Sequence, residues 1–279
     1  MAHRIPVLTY HGVHVDGSDY ETNDHIGLRC DLELIHKLGW KVARLTDVIG
    51  SLLSGKISSI FTKTLCLTFD DGSWFDWHDL PHPHYGTQRS FANILRDFIG
   101  SYGGQAQPNL HATSFVITSP YARSVLDKTC MIGKGWWGDE WWKEAHNEGL
   151  IGIANHSWDH RHHTLPKEIR YGEKYGDFKI MQDVAECNWQ VRQAQEYLQR
   201  LLGRSPEPFF AYPYGDVPAV LAQEYFPAYH EDLGLIAAFS SEPAPIAENA
   251  DPWRLPRFVF RRDWNQPHDL QALLREICR

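Results

Sequence analysis

Short apolar runs rich in β-branched and aromatic residues alternate along this chain with longer segments whose apolar residues recur at helical spacing. Strands that alternate with amphipathic helices are typical of repeated βα units, so the pattern predicts an α/β fold built around a parallel sheet or barrel. Seven runs are predicted as strands, which is enough to close a barrel. They span residues 5–10, 64–69, 112–117, 150–155, 208–213, 234–239 and 257–261.

Four segments between or after these strands are predicted as helices, because apolar residues recur in them at helical spacing. They are residues 90–99, 140–149 and 183–202, and a segment that follows Pro267 and runs to the C-terminus. No internal repeat, low-complexity tract or long linker divides the chain. We therefore expect residues 1–279 to form a single domain.

The overall composition restricts the partners of this protein. Of its 279 residues 43% are hydrophobic, which supports a substantial core, and the formal net charge is -8 without any run of lysine or arginine. A negative chain without basic runs is not expected to bind nucleic acid or an acidic membrane surface. A neutral or small polar substrate fits this charge better, and the sequence leaves the oligomeric state open.

Two further features bear on the location of the protein. No uninterrupted apolar run reaches the roughly 18 residues that a membrane helix needs, and the N-terminus lacks the apolar stretch of a secretory signal. The five cysteines are scattered without a CxxC pair, which favours free thiols in a reducing compartment. The sequence as given predicts a cytoplasmic protein without membrane insertion, unless targeting information lies outside it.

Polar residues gather at the predicted carboxyl ends of the strands. In a parallel βα barrel these ends meet at one face, and the active site lies there. The residues are His11 after the first strand, Asp70 and Asp71 after the second, His156 after the fourth, Pro213 to Asp216 after the fifth, and Arg262 to Trp264 after the last. The sequence therefore predicts a polar site at this end of the barrel.

His156 and His160 form an HxxxH pair, which places two imidazoles within reach of one metal ion. With one carboxylate from elsewhere they would make a His₂Asp set, which suits Zn²⁺ or a similar divalent ion and leaves a position open for water. An isolated HxxxH is more often a packed or hydrogen-bonded pair, and an isolated Asp-Asp-Gly is ordinary turn chemistry. Together the two motifs are more specific, because they supply three ligands and one further carboxylate.

Three motifs that contain these residues, in the order TFDDG, HSWDH and FAYPYG, resemble the motifs of the polysaccharide deacetylases, the NodB-like carbohydrate esterases of family 4 type. The opening PVLTYHGV is similar to the YH-containing start of the branch that includes the poly-N-acetylglucosamine deacetylases. The resemblance extends from residue 6 to about residue 264. It implies one catalytic domain, 1–279, folded as a distorted (β/α) barrel of about seven parallel strands.

The resemblance also implies the roles of the central residues. Asp71, His156 and His160 would bind one divalent metal ion, Zn²⁺ in the first place, with Co²⁺, Ni²⁺ or Mn²⁺ as alternatives. Asp70 would stay off the metal and act as the general base. The chemistry agrees with this division, because a divalent ion acidifies water and a nearby carboxylate can then remove a proton as the water attacks an acetyl carbonyl.

The substrate side of the predicted site comes from the fifth strand end and from aromatic residues. In the family, a backbone N–H at the position of Tyr214, which follows Pro213, stabilises the oxyanion. Aromatic faces stack on sugar rings, so Trp74 and Trp77, in an irregular loop after the second strand, are predicted to form a substrate wall. Packing that only shapes the cleft is the equal alternative. Trp264, after the last strand, is assigned to the same substrate-binding group.

One departure from the commonest family pattern concerns the general acid. Most members place the acid histidine in a Leu-x-His motif near the C-terminus, but the only histidine after Trp264 is His268, at a predicted helix start. In the YH-starting branch the motif order resembles a circular permutation, so the resemblance assigns the acid to His11, with Asp263 as a partner that tunes its pKa. The alternative is a buried His11 bonded to a backbone carbonyl.

A second departure concerns the arginine that usually opens the third motif and pairs with the general base. Ala211 occupies that place in this chain. Arg257, from another strand end, is the predicted replacement partner of Asp70. Without such a partner only a metal ion would balance the two adjacent carboxylates.

These residues lead to one function and several alternatives. The resemblance implies a metal-dependent hydrolase that removes acetyl groups from N-acetylated amino sugars, in a polysaccharide or a smaller saccharide. An O-acetyl xylan esterase or a hydrolase of small amides would use the same fold and an acetylated small-molecule substrate. A catalytically silent carbohydrate-binding module is also possible on this scaffold, but it would not need Asp70 and His11, so their presence favours an enzyme.

Overall fold

The computed structural model describes residues 4–55, 61–172 and 175–278, and each of the seven predicted strands is present in it. An additional short strand and a small hairpin are also present. The strands are β1 (Val7–His11), β2 (Lys41–Val42), β3 (Thr64–Asp71), β4 (Leu80–His82), β5 (Gly86–Gln88), β6 (Ala112–Val116), β7 (Ile151–Asn155), β8 (Phe209–Ala211), β9 (Ala237–Phe239) and β10 (Phe258–Val259).

The helices are more numerous than the sequence pattern predicts. They are α1 (Asp24–Lys37), α2 (Leu45–Leu53), α3 (Phe91–Tyr102), α4 (Pro120–Cys130), α5 (Trp142–Glu148), α6 (Val184–Cys187), α7 (Gln193–Leu202), α8 (Phe226–Leu233) and α9 (Pro267–Ile277). The four predicted helices correspond to α3, α5, the α6–α7 segment and α9. A π-helical stretch, Asn188–Arg192, joins α6 to α7.

The central sheet is parallel, and its strand order places the motif residues side by side. Seven strands follow the order β10, β1, β3, β6, β7, β8, β9, while β2 pairs with β3 outside this path. In this register His11 lies beside Asp70, and Asp71 lies beside Val116. Because neighbouring strands run in the same direction, their carboxyl ends meet at one edge.

The sheet curls back on itself as the predicted distorted (β/α) barrel. After β9 the chain loops round and runs alongside this strand in the same direction. There Leu255 forms a parallel bridge with Phe239, and its backbone oxygen accepts a hydrogen bond of 2.8 Å from Ser240 N. It then continues into β10, where Phe258 lies beside Leu8 of β1. One segment therefore contacts both edges of the sheet.

The barrel strands are buried on both faces, as parallel strands between helices generally are. Leu8 and Leu67 pack among residues of the surrounding helices in one core cluster. Cys66 and Phe115 belong to a second cluster, whose members come from six strands and from α2. Since side chains alternate along a strand, Asp70 shares the inner face with Cys66.

The loop from Ser73 to Arg89, predicted to be irregular, contains a short helical turn at Trp74–Asp76 and the antiparallel β4–β5 hairpin. Elsewhere, none of the helices in the described residues is long and apolar enough to cross a membrane. The five cysteines are free thiols in the structure, as the sequence predicts.

Candidate active site

A cleft of about 390 Å³ opens at the carboxyl ends of the strands. It brings together residues from the ends of β1, β3, β7 and β8 with residues of the connecting loops. Those with titratable or aromatic side chains are His11, His14, Asp16, Asp70, Asp71, Cys130, Trp137, His156, His160, His162, Tyr214 and Arg262. The sequence-predicted metal ligands, the proposed base and the proposed acid therefore share one cleft.

Backbone strain concentrates around this cleft. Among the described non-glycine residues with positive φ are Asp71 (76°), Ser157 (71°), His160 (61°) and Tyr214 (60°), all next to strand ends. Such conformations cost about 1–3 kcal/mol each and persist only where surrounding contacts hold them. The backbone at these strand ends is thus held in conformations that orient particular side chains.

The glycine of the Asp-Asp-Gly motif has a steric reason. Gly72 adopts φ +72°, and a Cβ at this position would lie 2.4 Å from Val116 Cγ1 of the neighbouring strand. A larger residue would push β3 and β6 apart just where Asp71 leaves the sheet. Glycine therefore permits the sharp exit of the chain after the two carboxylates.

Asp71, His156 and His160 form a ligand set. Their ligand atoms all lie within 4.8 Å of one another, and Asp71 Oδ1 is 3.7 Å from His156 Nε2 and 3.8 Å from His160 Nε2. His156 Nδ1 lies 2.9 Å from the backbone oxygen of Ala211, which can only accept, so Nδ1 carries the hydrogen and Nε2 presents a lone pair to Asp71. This group can hold a metal ion.

The electrostatics of the set also fit a cation. Burial lowers the pKa of His156 and His160, so both imidazoles are neutral and their lone pairs are available. Burial and the neighbouring charge of Asp70 raise the pKa of Asp71 to about 7. A bound cation would stabilise the ionised form of Asp71, which otherwise lies beside a second carboxylate.

Asp70 has a different partner. The guanidinium of Arg257 donates two hydrogen bonds to it, 2.7 Å to Oδ1 and 2.9 Å to Oδ2, and Arg257 is fully buried. Burial alone would raise the pKa of Asp70, but Arg257 and then His156 hold it well below its usual range. Arg257 Nε also donates to Ser240 O at 3.1 Å, which fixes the guanidinium. Asp70 is therefore an ionised carboxylate in a rigid setting.

This contact compensates for the alanine in the third motif. Arg257, the partner proposed from the sequence, approaches Asp70 from the segment before β10 and not from β8. Ala211, at the end of β8, contributes its backbone oxygen to His156 instead. The end of β8 thus orients a candidate metal ligand, and the segment before β10 supplies the cation.

His11 ends β1 beside the carboxylates. Its backbone N–H donates to Asp24 Oδ2 at 2.8 Å, and its ring stacks on His14 with centroids 4.6 Å apart. Its Nδ1 is buried without a hydrogen-bond partner in the described residues, so it is not bonded to a backbone carbonyl through that atom. Burial lowers the pKa of His11 to about 4, although the charge of Asp70 opposes this shift.

Asp263 does not form the predicted pair with His11. Its Oδ2 accepts from the backbone N–H of Val259 at 2.6 Å and from the Arg262 guanidinium at 2.7 Å. These contacts close the turn that follows β10. The carboxylate is satisfied locally. Asp70 is the acidic residue whose charge acts on the His11 imidazole, and Asp24 accepts from the His11 backbone N–H.

Pro213 and Tyr214 lie in the turn after β8. Pro213 is buried, whereas the Tyr214 side chain is 44% exposed and lines the cleft. The Tyr214 ring meets the His160 ring edge-on, with centroids 4.4 Å apart. This turn therefore forms the wall of the cleft next to the ligand set.

Two of the predicted substrate-binding tryptophans belong to the core. Trp77 is 5% exposed, stacks on Trp141 at a centroid distance of 6.1 Å and is covered by Arg96. Trp264 is 2% exposed and donates from Nε1 to buried Asp31 at 3.0 Å. Their assignment to substrate binding is wrong, because burial of a large aromatic surface leaves no face for a sugar.

Trp74 also lies outside the residues that line the cleft. It is half-buried against the core and donates to Glu140 at 3.2 Å. The tryptophan that does line the cleft is Trp137, which is not among the predicted site residues. Its Nε1 donates to the backbone oxygen of Asp71 at 3.0 Å. Its loop has no periodicity, and only the unusual GWWG composition marks it.

The comparisons with known proteins agree with the predicted family. A family model described as polysaccharide deacetylase matches residues 61–228, which is more than half of the chain. The matched segment includes Asp70, Asp71, His156 and His160. No curated protein sequence gives a significant match.

Several solved structures are similar over the full length. The deacetylase PplD of Streptococcus pyogenes, in complex with acetate, has a TM-score of 0.65 at 16% identity, with 98% of this chain and 99% of that chain covered. IcaB from Ammonifex degensii has a TM-score of 0.62 at 17% identity, with 100% and 99% covered. The de-N-acetylase from Aggregatibacter actinomycetemcomitans has a TM-score of 0.63 at 17% identity, with 97% and 99% covered.

At these identities the structural neighbours show a common fold, the NodB-like (β/α) barrel predicted from the sequence. The family model adds the sequence evidence, since it matches most of the barrel together with the motif residues. The chain therefore belongs to the polysaccharide deacetylase family, whose members are hydrolases that remove acetyl groups from acetylated sugars.

Proposed function

We propose that this protein removes acetyl groups from N-acetylated amino sugars, in a polysaccharide or a smaller saccharide, with the help of one divalent metal ion. The observation that carries the proposal is the division of two adjacent carboxylates. Asp70 is held ionised by Arg257, while Asp71 faces the Nε2 atoms of His156 and His160. One carboxylate is available for proton transfer, and the other for a cation.

Asp71, His156 and His160 would hold the ion. A set of one carboxylate and two imidazoles favours Zn²⁺, with Co²⁺, Ni²⁺ and Mn²⁺ as alternatives. When bound, the ion supplies Lewis-acid activation of the water and of the acetyl carbonyl. The hydrogen bond from His156 Nδ1 to Ala211 O keeps that imidazole in the tautomer which a metal ligand needs.

The proton transfers fall to Asp70 and His11. Asp70 accepts a proton from water as the water oxygen attacks the acetyl carbon, and the backbone N–H of Tyr214 is proposed to stabilise the oxyanion. When the carbon–nitrogen bond breaks, the amine needs a proton, which His11 is proposed to deliver. Because the pKa of His11 is lowered to about 4, its resting imidazole is neutral. The proton that it delivers would be the one that Asp70 takes from the water, passed to the neighbouring His11 before the carbon–nitrogen bond breaks.

An apolar surface beside the ligand set suits the acetyl methyl group. Ile117, Leu126 and Trp137 form a small buried cluster, and all three line the cleft. The volume of about 390 Å³ lies within the range of about 300–1,000 Å³ that small-molecule sites occupy. It is suited to one sugar residue with its acetyl group, and longer chains would extend into solvent.

The function is tested by acetate release from a substrate panel. The metal-free protein is supplied with one equivalent of Zn²⁺ or Co²⁺ and offered N-acetylglucosamine oligomers, acetylated xylan and small acetamides. We expect release from the oligomers and about one tightly bound ion per chain. A double variant, His156→Ala with His160→Ala, should lose both. Release from xylan or from small amides alone would contradict the proposed substrate.

A further inference from the structure

A second group of metal-ligand side chains includes two histidines that line the cleft. His11, His14 and Asp24 each offer one ligand atom, and these atoms lie within 4.8 Å of one another. His14 Nδ1 is 3.7 Å from Asp24 Oδ1, beyond hydrogen-bonding distance, and Asp24 is fully buried. The tetrahedral ligands of Zn²⁺, with bonds of about 2.0–2.2 Å, lie only slightly closer together.

Three polar atoms of this group, one from each residue, have no hydrogen-bond partner within the described residues. His11 Nδ1, His14 Nδ1 and Asp24 Oδ1 are all buried without a hydrogen bond. Each buried polar atom left unpaired costs about 1–3 kcal/mol, so three at one place indicate a missing common partner. A divalent cation accepts a lone pair from all three atoms when each imidazole carries its hydrogen on Nε2.

The backbone holds the three side chains together before any ion binds. Asp24 Oδ2 accepts from His11 N at 2.8 Å, and Asp24 N donates to His14 O at 3.1 Å. Asn23 caps α1, so that Asp24 stands at the first position of a helix that packs on the barrel. Carboxylates whose second oxygen is hydrogen-bonded in this way are oriented for metal binding.

The charges around the group make it a net negative site once Asp24 is ionised. The nearest cation is Arg261, whose Nη1 is 4.0 Å from Asp24 Oδ1 but only 2.7 Å from Asp16 Oδ2. Burial raises the pKa of Asp24 to about 8, so this carboxylate loses its proton when a cation binds. With Asp24 ionised, two carboxylates and one guanidinium sum to one negative charge. Arg261 therefore weakens cation binding at Asp24 without cancelling it.

We infer that His11, His14 and Asp24 form a second, weaker site for a divalent cation of the Zn²⁺ class, and that its occupation inhibits the protein by engaging His11. The site is weaker than the first because the His14 side chain is 41% exposed and Arg261 lies nearby. The inhibitory consequence rests on the proposed deacetylation, in which His11 delivers a proton. The binding itself does not depend on that function.

The binding is tested with Zn²⁺ alone on the full chain, by isothermal titration and by metal analysis after equilibrium dialysis. We expect two ions of different affinity. His14→Gln and Asp24→Asn should each weaken the second ion by more than about tenfold and leave the first, whereas His156→Ala should remove the first. His84→Gln, an exposed histidine elsewhere, is the matched control and should keep both.

Two results would overturn the inference. One is a wild-type chain that binds a single ion even in excess Zn²⁺. The other is a second ion that persists in both His14→Gln and Asp24→Asn. Circular dichroism and thermal unfolding of each variant show whether it is folded, and the exposed His14 provides a folded variant if the buried Asp24→Asn fails.

An activity measurement separates this inference from the proposed function. Acetate release should rise with the first equivalent of Zn²⁺ and fall in excess, and His14→Gln should raise the inhibiting concentration more than about tenfold. If two ions bind but no acetylated sugar is turned over, the second site stands and the proposed function fails. If turnover is unaffected by excess Zn²⁺ and one ion binds, the inference fails and the function stands.

Discussion

Asp70 and Asp71, at the end of β3, lie in surroundings that differ more than their adjacent positions in the sequence suggest. Asp70 and Asp71 are adjacent, yet Asp70 meets a fully buried arginine and Asp71 meets two neutral histidines. The pKa of Asp70 is held well below its usual range, whereas that of Asp71 is raised to about 7 by burial and by Asp70. Adjacent carboxylates thus acquire different chemistry from their partners, because Asp71 is the last residue of the strand and its positive φ of 76° turns its side chain away from that of Asp70.

The largest expected effect separates the two carboxylates. Asp70→Asn should reduce turnover by about 10²–10⁴-fold while the protein keeps its tightly bound metal, because the amide cannot accept the proton of the attacking water. Asp71→Asn is the matched control and should lose both metal and turnover. Metal analysis and acetate release measure the two outcomes. Equal metal loss in both variants would show that the carboxylates are not divided as proposed.

The next effect concerns the cation behind Asp70. Arg257→Met leaves a buried carboxylate without its partner, so the free energy of unfolding should fall by about 3–5 kcal/mol. Arg89→Met removes an arginine from exposed ion pairs with Asp79 and Asp97, and should change it by no more than about 1 kcal/mol. Denaturant unfolding of both variants makes the comparison.

An unchanged midpoint in Arg257→Met would contradict the structural role given to this pair. If the variant does not fold at all, Arg257→Lys keeps the charge but loses the paired hydrogen bonds. It should be folded, less stable than the wild type and slower in acetate release. Wild-type stability and rate in Arg257→Lys would show that the two-bond geometry is unimportant.

The proposed role of Asp71 as a metal ligand is tested by the pH dependence of Zn²⁺ binding. Metal binding needs ionised Asp71, and protons compete for it below its pKa of about 7. The affinity for Zn²⁺ should therefore fall about tenfold for each pH unit below 7 and level off above it, until other groups titrate. Chelator competition between pH 5.5 and pH 8 measures this slope.

The metal-free protein should show the linked effect in its stability. Because the folded state keeps a proton on Asp71 that the unfolded state has already released, the contribution of Asp71 to the free energy of unfolding should fall as pH rises from about 4 to about 7. This contribution is measured as the difference between the wild type and Asp71→Asn, which cancels the opposite effect of the buried histidines. Added Zn²⁺ should restore it at the upper end. A stability that rises over this interval in metal-free protein, and equally in Asp71→Asn, would contradict the raised pKa.

Much of the barrel and the centre of the site follow from local sequence signals. The apolar runs predict all seven barrel strands, since buried parallel strands need continuous apolar sequence. The motif order places Asp70, Asp71, His156 and His160 at one end of the barrel because parallel strands share their carboxyl edge. Because Ala211 stands where the family usually has an arginine, a cation from another segment is expected, and the predicted Arg257 contacts Asp70 in the structure.

The errors have physical causes. Aromatic composition does not show which side of a loop faces the cleft, so Trp77 and Trp264 are assigned to substrate although both are core residues. Asp263 is near the site in sequence, but the backbone N–H of Val259 and the guanidinium of Arg262 donate to it within its own turn. Asp24 reaches His11 only through the folding of the intervening loop, and no period in the sequence indicates that contact.

The smallest effect concerns Trp137, which supports Asp71 from its backbone side. Trp137→Phe keeps an aromatic ring in the cleft but removes the hydrogen bond from Nε1 to Asp71 O, which is 3.0 Å long. Because Asp71 has a positive φ that neighbouring contacts must hold, the loss should cost about 1 kcal/mol and lower the Zn²⁺ affinity about fivefold. Trp136→Phe, in the same loop but with no such bond, is the control. If the two variants bind Zn²⁺ equally well, Trp137 only lines the cleft. The orientation of the Asp71 side chain then depends on Gly72 and the strand end alone.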